Sequence, residues 1–202
     1  MKYIMTVLLL ATALSTLADP PKKAQPEPKK PAEMTAPNTM CNTTYALCIK
    51  APCEKKQQVD DKTGKMSVKC ECVMETGWNM GPNSCDDRKL SLTSTYSNKF
   101  NEGSRALSCP QPIDWAWCYG AKCEKNSKDG KLATCTCPVI TNRAVILVSK
   151  DKCGDSVHVC SQMWSAAYPA ESKYANDYYF WWMHEHGHPA NPPAKPCPDT
   201  AK

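Results

Sequence analysis

The sequence has no run that approaches the 20 or so apolar residues of a membrane span, and its longest apolar run, near the first residues, is shorter than this. It has no C-x-x-C pair, no glycine-rich phosphate loop and no G-x-S-x-G sequence, so nothing indicates thiol exchange, nucleotide or serine-hydrolase chemistry. Basic residues show no concentrated patch. Without Lys2, 24 basic residues stand against 20 acidic ones, an excess of +4, and we expect no nucleic-acid partner.

The first 18 residues are typical of a secretory signal peptide rather than of a membrane anchor or a buried helix. Lys2 provides a positive start, and an apolar run from Ile4 to Leu14 follows. The run is too short to cross a bilayer, and small residues precede the predicted cleavage site before Asp19. We therefore expect an exported chain, periplasmic or secreted, with no transmembrane segment after cleavage.

The 14 cysteines are interpreted in the light of this predicted export. In an oxidising compartment such a density favours disulfides, whereas in the cytosol it would favour metal thiolates. The even count fits complete pairing. The cysteines predicted to form structural disulfides are Cys41, Cys48, Cys53, Cys70, Cys72, Cys85, Cys109, Cys118, Cys123, Cys135, Cys137, Cys153, Cys160 and Cys197.

Residues 19–40 are rich in proline and lysine and nearly devoid of large apolar side chains. Such a composition cannot bury enough surface to offset the entropy of ordering, which predicts a disordered, solvated spacer. An alternative is that its lysines contact an anionic cell surface.

An internal repeat is the strongest pattern in the chain. The segment "YALCIKAPCEKK" (residues 45–56) recurs as "WAWCYGAKCEKN" (residues 115–126), and "MSVKCECV" (66–73) recurs as "KLATCTCPV" (131–139). A duplicated cysteine-rich module explains this agreement. We therefore predict module 1 at residues 41–88, a linker or extra strand at 89–108 and module 2 at 109–155.

Each module is predicted to contain a β-hairpin. Asp129-Gly130 is a strong two-residue turn signal, and a loop of similar composition occupies the same place in module 1. Cysteines two apart on a strand share a face, so Cys70 and Cys72 should lie side by side, as should Cys135 and Cys137, with different partners. We predict three bridges within each module, of open connectivity, and a seventh between Cys160 and Cys197.

The segments after the two return strands differ in character. Residues 144–148 form a β-branched apolar run that predicts a buried strand. The corresponding residues 74–84 contain Gly77 and Gly81 and predict a looser segment, whose loops are available for partner contact.

The C-terminal segment, residues 156–202, holds half of the aromatic residues of the chain. Eight of the 16 aromatic residues lie between Trp164 and Trp182. Pro169 and the aromatic cluster at 178–182 argue against one long helix, so we predict a mixed or irregular segment. Its rings are interpreted as a core shared by both modules, with a partner-binding or glycan-binding platform as the alternative.

Within this segment, "HEHGH" at residues 184–188 matches H-E-x-x-H and resembles the core of the metzincin motif. The resemblance implies a zinc hydrolase with His184 and His188 as ligands and Glu185 as general base. It covers five residues only. Gly187 and Pro189 disfavour the helix that such a site needs, and the third histidine of the family motif is absent. We assign no catalytic residue.

A metal clip fits the same residues with fewer requirements. In an extended segment His184, His186 and His188 would lie on a common side. Imidazoles suit copper, zinc or nickel, and Met183 adds a thioether suited to Cu(I). His158, Met163 or Glu185 would complete the coordination. The alternative is an exposed histidine-rich tail with incidental affinity.

Taken together, these features predict a small disulfide-rich, mainly β protein made of two tandem hairpin modules and an aromatic C-terminal segment. The leading functional hypothesis is a non-enzymatic exported binding protein that holds copper, zinc or nickel through its histidines. The first alternative is a structural, inhibitory or cell-surface module that binds an unknown protein partner without metal. A zinc hydrolase of the H-E-x-x-H kind is the third hypothesis.

Overall fold

A computed structural model describes residues 38–126, 128 and 130–198, and the predicted signal peptide, residues 19–37 of the predicted spacer and the turn residue Asp129 lie outside them. The described part of the chain is mainly β. Its strands are β1 (Thr39–Leu47), β2 (Gln58–Val59), β3 (Met66–Gly81), β4 (Arg105–Ala116), β5 (Cys123–Lys125), β6 (Leu132–Ser149) and β7 (Lys195–Pro196). Its helices are α1 (Cys85–Leu90), α2 (Ser156–Cys160), α3 (Pro169–Glu185) and two short 3-10 helices at Lys99–Asn101 and Cys153–Asp155.

All seven strands join one mixed sheet. The strand order is β1-β3-β6-β4-β7, with β2 added beside β3 and β5 beside β6. The short strand β7 runs parallel to β4, and the other pairings are antiparallel. The two long strands β3 and β6 therefore lie at the centre of the sheet, and each pairs with three other strands.

Both predicted hairpins are present. In the first, Gln58 of β2 lies opposite Ser67 of β3, and in the second, Cys123 of β5 lies opposite Cys135 of β6. The first hairpin strand is shorter than predicted, since Cys53 makes only an isolated bridge to Cys70. The return strands are longer than predicted, with 16 residues in β3 and 18 in β6.

The cysteines of the return strands meet at the centre of the sheet. Cys70 lies opposite Cys135 in the β3–β6 pair, and Cys70, Cys72, Cys135 and Cys137 are each at most 1% exposed. As the two-residue period predicted, neighbours on one strand reach different partners. The bridges are Cys48–Cys72, Cys53–Cys70, Cys118–Cys137 and Cys123–Cys135.

These four bridges match pairwise. The Cα–Cα distance is 4.7 Å in Cys48–Cys72 and in Cys118–Cys137, and 4.0 Å in Cys53–Cys70 and in Cys123–Cys135. The two hairpins thus share one bridging arrangement. Their origin by duplication stays a prediction.

Three further bridges tie the ends of the sheet. Cys41–Cys85 completes three bridges within residues 41–88, as predicted. The predictions of a Cys160–Cys197 bridge and of three bridges within residues 109–155 are both wrong, because Cys109 pairs with Cys160 and Cys153 with Cys197. Only two bridges lie within residues 109–155. Helix α2 packs its buried Val159 with Leu107 of β4, which brings Cys160 to Cys109, while β7 beside β4 brings Cys197 within reach of Cys153. No bridge joins residues 41–85 to residues 109–197.

The expectation of a loose segment at residues 74–84 is wrong. Strand β3 continues to Gly81 and pairs with β1 over nine successive residues, from Leu47 opposite Val73 to Thr39 opposite Gly81. A glycine is needed at 81 because a Cβ there would lie 2.6 Å from Thr95 Cγ2. The predicted buried strand at residues 144–148 is confirmed within β6, where Val145 and Leu147 point into the core.

The expectation that Pro169 and the aromatic cluster prevent one long helix is also wrong, although residues 156–202 as a whole are mixed, with two helices, a short strand and irregular stretches. Residues 169–185 form one helix, α3, and Pro169 occupies its first turn, where the missing backbone N–H costs nothing. Tyr179 and Met183 of α3 are buried against Met80 of β3. Tertiary packing of this face therefore outweighs the weak helix propensity of the aromatic residues.

A buried polar network fastens α1 to the sheet. Arg88 of α1 is 3% exposed, and its Nη1 donates to Asn79 Oδ1 at 2.6 Å. Its other donors reach the carbonyls of Thr39 and Asn83, and no carboxylate among the described residues pairs with it. Asn79, which is fully buried, also accepts from Thr95 Oγ1 at 2.9 Å. Burial lowers the pKa of the Arg88 guanidinium, since its charge is met only by neutral acceptors.

The side chain of Asn79 also donates hydrogen bonds to oxygen atoms of strands β1 and β3. Its Nδ2 donates to Gly77 O at 2.8 Å, to Cys41 O at 3.1 Å and to Thr43 Oγ1 at 3.1 Å. One buried amide therefore connects β1, β3, α1 and the segment that carries Thr95.

Candidate functional site

The histidine segment is the end of helix α3. His186 is the C-cap residue, and Gly187 adopts a positive φ of 68°. Gly187 N donates to His184 O at 3.0 Å and His188 N donates to Met183 O at 2.8 Å. This is the bonding pattern of a Schellman motif, in which glycine follows the cap because it tolerates left-handed backbone. The H-E-x-x-H match therefore spans a helix terminus, and His184 and His188 do not share one helical face.

The predicted metal ligands are distributed rather than clustered. The segment is not extended as predicted, because His184 still belongs to α3. Met183 is buried in the core, and His158 lies on α2, with Nε2 3.0 Å from Gln162 Nε2. His186 stacks on Trp182 with ring centroids 3.9 Å apart, and His188 lies 4.9 Å from Trp78. Among the described residues, no group of three or more metal-binding atoms within 4.8 Å includes a histidine.

The groups that do meet this distance consist of cysteine sulfurs. They are Cys48, Cys72 and Cys135, and Cys70, Cys118 and Cys137. All six cysteines are bonded in disulfides, whereas the metal-binding form of cysteine is the thiolate. These groups therefore have metal-ligand chemistry only after reduction.

One concave site is a cavity of about 370 Å³ between the sheet and the first turns of α3, which we call the α3 cavity. Trp117 and Tyr119, just beyond β4, provide aromatic walls, with ring centroids 5.9 Å apart. Apolar side chains from the sheet and from the bend after β1, together with small side chains from α3 and the segment before it, complete the lining. They include Ile49, Met80, Ile146, Val148, Ala166, Ala167 and Ala175.

Most polar groups of the α3 cavity already have protein partners. Lys50 forms an ion pair with Asp151 and lies over the Trp164 ring, 4.7 Å from its centroid. Tyr119 donates its hydroxyl hydrogen to Asn38 Oδ1 at 2.5 Å. Asp151 accepts hydrogen bonds from Lys50 and Ser149. Both bonds lower the pKa of the Asp151 carboxyl, the Lys50 bond more strongly, and this favours the ionised pair.

Glu171 differs from these groups. It lies in the first turn of α3 and lines the cavity, and its side chain is exposed. No hydrogen bond or ion pair to its carboxylate occurs among the described residues. Partial burial raises the pKa of Glu171, and burial also raises the pKa of Tyr119. The cavity therefore contains one paired cation and one carboxylate without a protein partner.

Sequence reasoning missed the α3 cavity. Its lining comes from seven separate stretches of chain between residues 38 and 175, and no local pattern shows that Ile49, Trp117 and Glu171 converge. The repeat gave no signal for the cavity. The aromatic position shared by its two copies holds Tyr45 and Trp115, neither of which lines the cavity, whereas Trp117 corresponds to Leu47.

No protein-family model matches the chain, and comparison with curated proteins and with solved structures also produced no match. The described residues contain no helix that is both long and apolar enough to span a membrane. Seven disulfides and no free cysteine are typical of proteins that fold outside a reducing cytosol.

Proposed function

We propose that this protein is an exported, non-enzymatic binding protein that holds a small, largely apolar molecule in the α3 cavity. The observation that carries the proposal is the cavity itself. Its volume of about 370 Å³ lies within the range of small-molecule sites, and its walls are mainly apolar and aromatic with few polar groups. The disulfides support export, since they need an oxidising compartment to form and persist.

A rigid frame supports the same function. Cys48 and Cys118 both line the cavity and are bridged to Cys72 and Cys137 at the centre of the sheet. Walls held in this way lose little conformational entropy when a ligand binds. Disulfide-stabilised frames therefore suit binding sites that are formed before the ligand arrives.

Binding of a neutral probe, 4-phenylbutanol, tests the proposal. We expect millimolar affinity, typical of a ligand with about ten non-hydrogen atoms, and chemical-shift changes confined to the cavity lining in ¹H–¹⁵N spectra. Ala175→Leu places extra volume against the cavity and should weaken binding at least tenfold. Ala170→Leu, on the same helix but outside the lining, is the matched control and should bind as the native chain does.

Two outcomes would contradict the proposal. The first is that 4-phenylbutanol and similar apolar probes fail to bind. The second is equal binding by the Ala175→Leu and native proteins, with circular dichroism showing both folded. Either result would favour the alternative hypothesis of a structural module that binds a protein or cell-surface partner.

A second candidate function is transition-metal binding by the histidine segment. The observation that favours it is that His184 and His186 are both exposed at the end of α3. A site there needs the turn at Gly187 to rearrange, because the imidazoles are not grouped.

We expect calorimetric titration with Cu(II) or Zn(II) to show binding that is at least tenfold weaker in His184→Ala/His186→Ala. His158→Ala serves as the control, since His158 lies on α2. Equal binding by the native protein and the double variant would contradict a metal site.

A further inference from the structure

We propose that the ligand of the α3 cavity is an amphipathic organic cation, whose positive group meets the Glu171 carboxylate while its apolar body lies against Trp117. This inference rests on the proposed function and specifies its ligand class. It follows from the difference between the two charged residues that line the cavity.

The cation of the cavity is already neutralised. Lys50 is held by Asp151, and its side chain is only 17% exposed. The attraction it offers to an incoming anion is therefore small, because Asp151 would repel that anion at short range. A free fatty acid or another carboxylate ligand would gain little at this position.

The anion of the cavity is not neutralised. Glu171 has no ion-pair partner among the described residues, and it lies where the cavity meets solvent. A cation bound here replaces water around the carboxylate with a direct charge-assisted contact. An apolar environment next to the carboxylate strengthens that attraction relative to bulk water.

The aromatic walls favour the same charge. The faces of indole and phenol rings attract cations through their quadrupoles, and Trp117 and Tyr119 both line the cavity. The molecule already uses this interaction close by, where Lys50 lies over Trp164. Carboxylate and rings together therefore select a positive group attached to an apolar body.

Glu171 also has a structural role. An acidic residue in the first turn interacts favourably with the positive end of the helix dipole. Loss of this interaction would lower stability slightly, but it would not make the protein discriminate between ligands of different charge. Charge discrimination is therefore the property to measure.

Three probes of one shape separate the possibilities. They are 4-phenylbutylammonium, neutral 4-phenylbutanol and anionic 4-phenylbutyrate, titrated at pH 7 into the full chain with binding followed by ¹H–¹⁵N spectra. We expect the ammonium probe to bind about tenfold more tightly than the alcohol, and the carboxylate probe to bind more weakly than the alcohol. Added salt should reduce the ammonium preference, because the carboxylate is exposed.

The Glu171→Gln variant tests the residue. It should reduce ammonium binding to the level of the alcohol while leaving alcohol binding unchanged. Glu185→Gln, at the far end of α3, is the matched control and should retain the preference. Equal affinity for alcohol and ammonium in the native chain would overturn the cation inference while the apolar site stood. Retention of the preference in Glu171→Gln would overturn the role of this carboxylate. Failure of all three probes to bind the native chain would contradict the proposed function itself.

Discussion

Full reduction of the seven disulfides is expected to unfold the protein at 25 °C, with loss of the β-sheet signal in circular dichroism. A disulfide contributes about 2–4 kcal/mol, so seven of them together match or exceed the roughly 5–15 kcal/mol by which a domain is usually stable. The sulfurs are also part of the interior, since Cys70, Cys72, Cys135 and Cys137 belong to the largest buried cluster. Reduced and alkylated protein should therefore lack ordered structure.

The bridges should be lost in a definite order under limiting dithiothreitol. Cys153–Cys197 is the bridge in which neither cysteine is buried, whereas both cysteines of Cys118–Cys137 are buried. Exchange requires access of a thiolate to a sulfur, so the first bridge should be reduced earliest and the second last. Alkylation followed by peptide mass mapping would measure this order. Early loss of Cys118–Cys137, or a folded state after complete reduction, would contradict the prediction.

Replacement of the buried amide is expected to have the second largest effect. Asn79→Ala should lower the free energy of unfolding by about 3 kcal/mol, because it leaves the buried Arg88 guanidinium and the β1 carbonyls of Cys41 and Thr43 with fewer partners. Urea denaturation would measure the change. Asn42→Ala is the matched control, since Asn42 is exposed on β1 and its replacement should change stability by about 0.5 kcal/mol or less.

A double-mutant cycle would show that the cost comes from the network. Arg88→Met alone should also destabilise, because it leaves Asn79 Oδ1 with fewer donors. The combined Asn79→Leu/Arg88→Met variant should cost less than the sum of Asn79→Leu and Arg88→Met, since it removes both members of the buried contact. Additive effects would mean that the two side chains stabilise the fold independently.

The hairpins and the bridges next to them were predictable from sequence because they depend on local geometry. Cysteines two apart on a strand must share a face, and this alone required Cys70 and Cys72 to have different partners. The pairing of Cys109 with Cys160 depends on how α2 packs against β4, and no local pattern encodes that contact. Strands and turns can therefore be predicted from a single sequence, whereas the packing of separate elements against each other cannot.

The histidine segment shows a different limit. Gly187 and Pro189 were interpreted as features that disfavour a helix, and α3 does end at Glu185, just before them. The same glycine and proline are the usual signals of a helix C-terminus. The aromatic residues upstream, which are weak helix formers, hid the helix that these signals end. Arg88 gave no signal at all, since arginine is seldom buried and its acceptors come from three separate places, Thr39 on β1, Asn79 on β3 and Asn83 before α1.

Because no bridge crosses between residues 41–85 and 109–197, the polypeptide backbone is the one covalent link between the two halves of the sheet. A protease that cut the exposed turn at Glu102 and Gly103 would leave two fragments joined only by non-covalent contacts, with the β3–β6 hydrogen bonds at their centre. Such fragments would separate in denaturant without any reducing agent. Each half of the molecule is thus cross-linked internally. Apart from the backbone, the two halves are held together by non-covalent contacts, as the subunits of a dimer are.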